Sequence, residues 1–281
     1  MPPEQRLAQE LQIACVDQMS HSTCSQQMTI LWSSQNLCTI FSQYHETSKA
    51  AIQQLLSAST ASLNSRDTFL LVQVLSKSEY AMPKAQSQTL VQCIQNNLQD
   101  MSLSNVVTLT INLSKVKMRR SLSLIHKLAL AVVAHLEDAD SAQLSWFIWA
   151  LGRYRTPIPW KVMSLLLDHF KSWLPWSNGS DIARVLFSLP WLCQPGPDND
   201  RVLKKRKLFL LDLARKSQEC LPDCTPQELV WMLRGFNRLS YYPGAIWMKL
   251  HRNACRLREA QFDPVLKDKM RAEYQRILSL G

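Results

Sequence analysis

The chain has 281 residues, is 46% hydrophobic and carries a formal net charge of +10. That is enough apolar material for a large core, whether in one compact domain or in one solenoid. No apolar run approaches the roughly 18 residues of a membrane span, the best being Leu128 to Ala134, and alternating β-type segments are rare, which sets aside transmembrane and all-β classes.

Residues 1–29 read as an N-terminal helical cap, centred on Glu4 to Met19. Met1 to Ile13 contains Glu4 and Glu10 and lacks a continuous apolar stretch, so it does not read as a signal peptide. It is not Arg-rich and acid-poor as a transit peptide would be. Either targeting is absent or the chain is processed or partial.

A motif then recurs. Ser34, Leu37, Cys38 and Phe41 are followed 34 residues on by Thr68, Leu71, Val72 and Leu75. A step of 38 gives Val106, Leu109, Thr110 and Leu113, a second gives Leu144, Phe147, Ile148 and Leu151, and a third gives Ile182, Val185, Leu186 and Leu189. A longer step of 47 reaches Leu229, Met232, Leu233 and Phe236. Each set lies at i, i+3, i+4 and i+7, one face of a helix. A constant step of this size indicates a stack of similar helical units rather than one enzyme core. The units run approximately over 30–59, 60–99, 100–137, 138–174, 175–221 and 222–257.

Each unit is predicted to be a helix pair. In the third, Ser104 to Lys117 and Leu122 to Leu136 are helical. In the fourth, Ser141 or Asp140 caps a helix running to about Arg155, because a short side-chain oxygen accepts the free N–H groups of the first turn. Thr156-Pro157-Ile158-Pro159 then breaks the chain. A second helix follows from Trp160 to Trp173, with Val162, Leu165, Leu166 and Phe170 inward. In the fifth, Pro190 interrupts the first helix, and the loop from Cys193 to Asp200 accounts for the step of 47 before the basic run Lys204 to Lys207. In the last, Thr225 or Asp223 starts a helix, Pro243-Gly244 turns the chain and Ile246 to Leu257 returns. Residues 258–281 read as a C-terminal capping helix over Asp263 to Leu278. The predicted fold class is all-α, an α-solenoid of about six helix–turn–helix repeats of about 38 residues.

Charge and tryptophan share one asymmetry. Residues 1–145 balance 10 Lys and Arg against 10 Asp and Glu, whereas residues 146–281 hold 22 against 12 and supply the whole excess. Eight of the nine Trp also lie in that half. A basic, aromatic-rich half suits a polyanion with flat rings, a nucleic acid. A soluble basic surface over a Trp-containing core is the alternative.

The repeat aligns off-stripe positions into columns. The first is Gln43, Lys77, Lys115, Arg153, Trp191 and Arg238, four of them cations. One cation per repeat at regular rise is what a phosphate backbone requires, and a solvated face near each helix C-terminus is the alternative. The second column is Thr39, Gln73, Ile111, Trp149, Phe187 and Arg234; the third is Asn36, Leu70, Thr108, Trp146, Arg184 and Trp231. Residues that vary at a shared surface position suit modular base reading by stacking or edge bonding. Packing of Trp146, Trp149 and Trp231 between repeats competes with that view. The candidate RNA-contacting residues are therefore Lys77, Lys115, Arg153, Arg238, Gln73, Trp149, Arg234, Trp146, Arg184 and Trp231. Shorter basic runs lie at Lys115, Lys117, Arg119 and Arg120 and at Arg252, Arg256 and Arg258.

Ala142 to Pro157, AQLSWFIWALGRYRTP, and Pro226 to Pro243, PQELVWMLRGFNRLSYYP, resemble the signature of the octotricopeptide repeat family. That family has degenerate 38-residue helix pairs with a pattern near PxxLxxLLWALAxLxxxP. The helical region of FAST kinase-like proteins is also similar. Ser34, Thr68 and Pro190 depart from the pattern, and no RAP-type domain follows the repeats. The resemblance implies a sequence-selective binder of single-stranded RNA, acting in chloroplast or mitochondrial RNA stability, processing or translation, together with other organellar RNA-processing proteins. A protein-binding scaffold without nucleic acid, or a fragment of a larger FAST kinase-like protein, are the alternatives.

No catalytic pattern emerges from the six His, and neither HExxH nor a phosphate-cradling Gly motif is present. The eight scattered Cys fit free thiols in a reducing compartment; Cys220 and Cys224, with Pro222 between them and no nearby His, make a poor zinc site. The chain is expected to be no enzyme, to need no cofactor or metal and to take no small-molecule substrate.

Overall fold

The structure, a computed structural model, describes residues 10, 14, 23, 25–30, 32, 33, 63–78, 80–116, 118, 121–192 and 200–280. The stripe Ser34, Leu37, Cys38 and Phe41, the column positions Asn36, Thr39 and Gln43, most of the N-terminal cap, the loop 193–199, and Lys117, Arg119 and Arg120 lie outside them. Every regular element among the described residues is helical. No helix there is long and apolar enough to cross a membrane.

The chain divides into two compact units, residues 1–131 and 132–281. The first holds α1 (Ser65–Lys77), α2 (Lys84–Asn97) and α3 (Leu103–Leu113), with α4 (Leu122–Val133) reaching its boundary. The second holds α5 (Ser141–Tyr154), α6 (Trp160–Trp173), α7 (Gly179–Leu192), α8 (Asp200–Cys220), α9 (Pro226–Arg238), α10 (Ala245–Leu257) and α11 (Pro264–Leu278).

The sequence period reappears in the capping. Asn64, Ser102, Asp140, Asn178, Thr225 and Asp263 each accept the backbone N–H three residues on, at the start of α1, α3, α5, α7, α9 and α11. Asp140 and Thr225, rather than Ser141 and Asp223, are therefore the caps in their repeats. Both form capping boxes, with Gln143 and Glu228 reaching back. Residues 98–100, 136–138, 174–176, 221–223 and 259–261 form short 3₁₀ turns that lead into the next first helix. Pro264 stands in the register of Pro226, so the last helix occupies a first-helix position.

In the second unit α5, α7, α9 and α11 pack side by side in that order, and α6, α8 and α10 pack on them and on one another. The predicted stripes face inward: Leu144, Phe147, Ile148 and Leu151 are buried, as are Ile182, Val185, Leu186 and Leu189, and Leu229, Met232, Leu233 and Phe236. Each such side chain contributes about 1.5–3 kcal/mol by leaving water. In the first unit the departure at Thr68 is satisfied: its buried hydroxyl lies 3.2 Å from Cys93 Sγ and accepts from Asn97 Nδ2 at 3.2 Å.

Two expectations are corrected. In α6 the inward face is Met163, Leu166, Leu167 and Phe170, and Leu165 is exposed. Both stripes are apolar with helical spacing, and contact with neighbouring helices selects between them. Pro190 does not interrupt α7, which continues to Leu192. A proline in the last turn forfeits one hydrogen bond, the one Leu186 C=O would accept. That carbonyl meets α9 instead: a Cβ on Gly235 would lie 2.5 Å from the Leu186 oxygen. On the other side of α7, a Cβ on Gly152 would lie 2.6 Å from Ser188 Cβ.

His251, on α10, is fully buried and joins three helices. Its Nε2 donates to Leu229 C=O of α9 at 3.0 Å, so Nδ1 accepts from the Tyr274 hydroxyl of α11 at 2.5 Å. Trp247 stacks on its ring at 4.6 Å. Burial depresses the imidazole pKa to about 4, against the Leu229 bond acting the other way.

Two tests follow from this packing. Gly235→Ala should lower stability by about 1–3 kcal/mol in urea unfolding, because the helix backbone must retreat from the new methyl group. Between pH 6.5 and 4 the unfolded chain binds a proton that the folded core rejects at His251. Neutral burial of His251 thus contributes fully above pH 6.5 and loses ground as pH falls toward 4, by about 3 kcal/mol in total. His251→Gln should flatten that part of the stability–pH curve; an unchanged curve would mean that folding leaves the protonation of His251 unaltered.

Candidate nucleic-acid interface

The off-stripe columns of α5, α7 and α9 bring rings and guanidinium groups together in a layer of neighbouring clusters. Arg184 lies 3.9 Å from the Trp146 ring centroid, and Trp146 meets Trp149 edge to face at 5.3 Å. Arg153 sits 4.9 Å over Trp149, one helical turn away. Trp191 of α7 is flanked by Arg155 and Arg238, each 4.5 Å from its centroid. Phe187 stacks on Trp231 at 5.2 Å, with Arg234 6.0 Å away. The geometry follows from the repeat: adjacent first helices run side by side, so equivalent positions on neighbours become cross-helix neighbours. Cation–π contacts of this kind contribute about 0.5–1 kcal/mol each where exposed.

The layer carries unbalanced positive charge. Burial and then the charge of Arg234 lower the Arg238 pKa from its ordinary value. Arg155 and Arg276 push the same way, and Glu273 opposes them. Glu273 is buried, accepts from Asn237 Nδ2 at 2.7 Å, and pairs with Arg234 at 3.6 Å and Arg276 at 3.5 Å. One carboxylate thus serves a crowd of guanidiniums.

The predicted residues differ in how they are held. Arg153, Arg238 and Trp146 are exposed. Trp149 and Trp231 are half-buried, and Trp149 Nε1 is enclosed without a hydrogen-bond partner. Arg184, with 15% of its side chain exposed, is anchored to Asp181 at 3.1 Å and Ser145 Oγ at 3.2 Å. It therefore joins repeats as well as edging the ring layer. Asp181 in turn accepts from Ser145 and Ser141 of α5. The same inter-repeat link recurs from Ser180 to Glu228, and in the first unit from Ser25 to Asp67. There Lys77 and Lys115 are exposed, while Gln73 accepts from the Trp32 indole N–H at 3.2 Å. A side chain so engaged reads a base only by exchanging that bond.

Two contributors to the layer lie outside the predicted columns. Arg276 stands 38 residues beyond Arg238, and one further step of the period finds it. Arg155 has no column; it reaches Trp191 because it ends α5 in the left-handed conformation, φ 50°. No sequence signal marks that turn.

Among the described residues no group of three or more His, Cys, Asp or Glu side chains is placed to hold a metal. Cys224 is buried against Gly179, and burial raises its thiol pKa to about 12. Compared with known proteins, the chain matches no family model and no curated sequence to a significant degree.

Asp181→Ala should cost about 3 kcal/mol in denaturant unfolding, because it strands Arg184 and removes the α5–α7 link. A loss below about 1 kcal/mol would place Asp181 among ordinary surface carboxylates.

Proposed function

We propose that the repeats form an α-solenoid that binds single-stranded RNA along its first-helix face. The observation that supports this is the layer of guanidiniums interleaved with Trp and Phe rings, from Trp146 on α5 to Arg276 on α11. Phosphates neutralise cations that crowd one another, and unpaired bases find flat partners in the same layer. A duplex hides its base faces, so the interleaved rings favour a single strand. Arg153, Arg238 and Arg276 face the backbone; Trp146, Trp149 and Trp231 offer stacking surfaces. Lys77 and Lys115 supply the equivalent charge in the first unit. The octotricopeptide resemblance carries the organellar setting and the role in RNA stability, processing or translation.

The test is binding of the full chain to a randomised single-stranded RNA pool across a salt series. The wild type should bind at low salt and weaken steeply. Changing Lys77, Lys115, Arg153 and Arg238 together to Glu should abolish binding, and each single change should shallow the salt slope by about 0.7. Circular dichroism checks that the variants fold. Folded wild type that binds no RNA at low salt sinks the proposal.

A protein partner is a second reading, favoured by exposed Leu208 on α8 and Ile246, Leu250 and Leu257 on α10. It predicts partner capture that survives the four-site charge reversal and fails with Ile246→Glu and Leu257→Glu.

A further inference from the structure

A cavity of about 580 Å³ lies between α10 and α11, lined from the side of α11 opposite Arg276. Arg252 and Arg256 project into it from α10, and Lys267 and Arg271 from α11. Each pair stands four residues apart on one helix, and the two pairs face each other. Like charges so placed repel, and they repel more above an apolar floor. Glu259 is the single carboxylate in the lining. Arg271 has an exposed partner in Asp268 at 3.4 Å, whereas Arg252, Arg256 and Lys267 pair with no carboxylate among the described residues.

The floor is apolar, made by Phe262, Met270 and the Tyr274 ring, with the Arg252 guanidinium 5.4 Å from that ring's centroid. Tyr274 spends its hydroxyl proton on His251, 2.5 Å away, and so presents carbon rather than a donor. Cys255, at the same wall, is neutral, since burial raises its thiol pKa to about 11. The cavity therefore asks for a ligand with a concentrated anionic end, a planar apolar body and few groups needing acceptors. Its volume lies within the roughly 300–1,000 Å³ typical of small-ligand sites. Guanidiniums on facing helices suit the several oxygens of a phosphate.

We infer that the α10–α11 cavity binds a nucleoside 5′-phosphate, its phosphate held by Arg252, Arg256, Lys267 and Arg271 and its base against Phe262, Met270 and Tyr274. The ligand is either a free nucleotide or the 5′-phosphorylated end of a strand. This site is separate from the first-helix face and does not depend on RNA binding there. It also departs from the sequence-based expectation of no small-molecule ligand.

The experiment is calorimetric titration of the full chain at low salt with AMP, adenosine, inorganic phosphate and ribose 5-phosphate. AMP should bind at one site, at least tenfold tighter than any of the other three. Arg256→Gln combined with Lys267→Gln should weaken AMP at least tenfold, while Lys249→Gln, exposed on α10 outside the lining, should not. Oligonucleotides with a 5′-phosphate or a 5′-hydroxyl separate the two sources. A 5′-phosphate preference that the double variant loses identifies a strand end; AMP binding without that preference identifies the free nucleotide. Either supports the site. No AMP binding by folded protein, AMP binding untouched by the double variant, or inorganic phosphate binding as tightly as AMP overturns it. Because Arg153 and Arg238 lie outside this cavity, loss of RNA binding on reversing them leaves the AMP result standing.

Discussion

The close approach of successive first helices is the constraint on which the second unit depends. α5, α7 and α9 come together where a glycine removes a side chain, Gly152 against Ser188 and Gly235 against the Leu186 carbonyl. That proximity turns a periodic sequence into a periodic surface. Residues 38 or 47 apart in the chain become neighbours across a helix pair, and rings and guanidiniums meet. Pro190 takes part in the same contact, since it leaves without its helical bond the carbonyl that α9 approaches. A residue that looks like a helix breaker thus sits at a contact between repeats.

Polar links set the register of these helices. The serine-to-carboxylate bonds Ser141–Asp181, Ser145–Asp181 and Ser180–Glu228 join the first turn of one helix to the next. The acidic residue also stands at the third helical position, where the N-terminal dipole favours negative charge. One carboxylate therefore acts within its own repeat and between repeats. Asp181 extends this by neutralising Arg184, which reaches out to Trp146. Pairing with Asp181 offsets the burial of the Arg184 guanidinium, which lies over the Trp146 ring without stranding its charge.

The two basic regions of the second unit differ in shape, one a layer along successive first helices and the other a cavity between α10 and α11. The first-helix layer is open, and its cations lie beside rings that already use them. The α10–α11 cavity opens to solvent above an apolar floor; among the described residues three of its cations lack carboxylates, and Arg252 lies 5.4 Å from the Tyr274 ring centroid. Repulsion among like charges is a cost that folding carries in both places. An anion relieves it in each, a long strand along the layer and a compact phosphate in the cavity.

Much of this protein was legible in the chain alone. The 38-residue step placed the buried stripes, because an apolar face at helical spacing can satisfy itself only by turning inward. The caps of the fourth and last repeats were legible to within one or two residues, because the first free N–H groups of a helix need a short side-chain oxygen. The step also identified Trp146, Trp149, Arg153, Arg234 and Arg238 as one face, since equivalent positions in stacked units align. Tertiary structure decided the rest. It chose Met163 and Leu167 over Leu165 in α6, where sequence periodicity allowed both, because only contact with neighbours distinguishes two apolar faces. It gave Arg184 to Asp181, brought the left-handed Arg155 to Trp191, and set Arg252 and Arg256 opposite Lys267 and Arg271. The Arg184–Asp181 pair is local, at i and i+3, but its burial against Ser145 is not; the other two depend on how separate helices approach, and local periodicity holds no record of that.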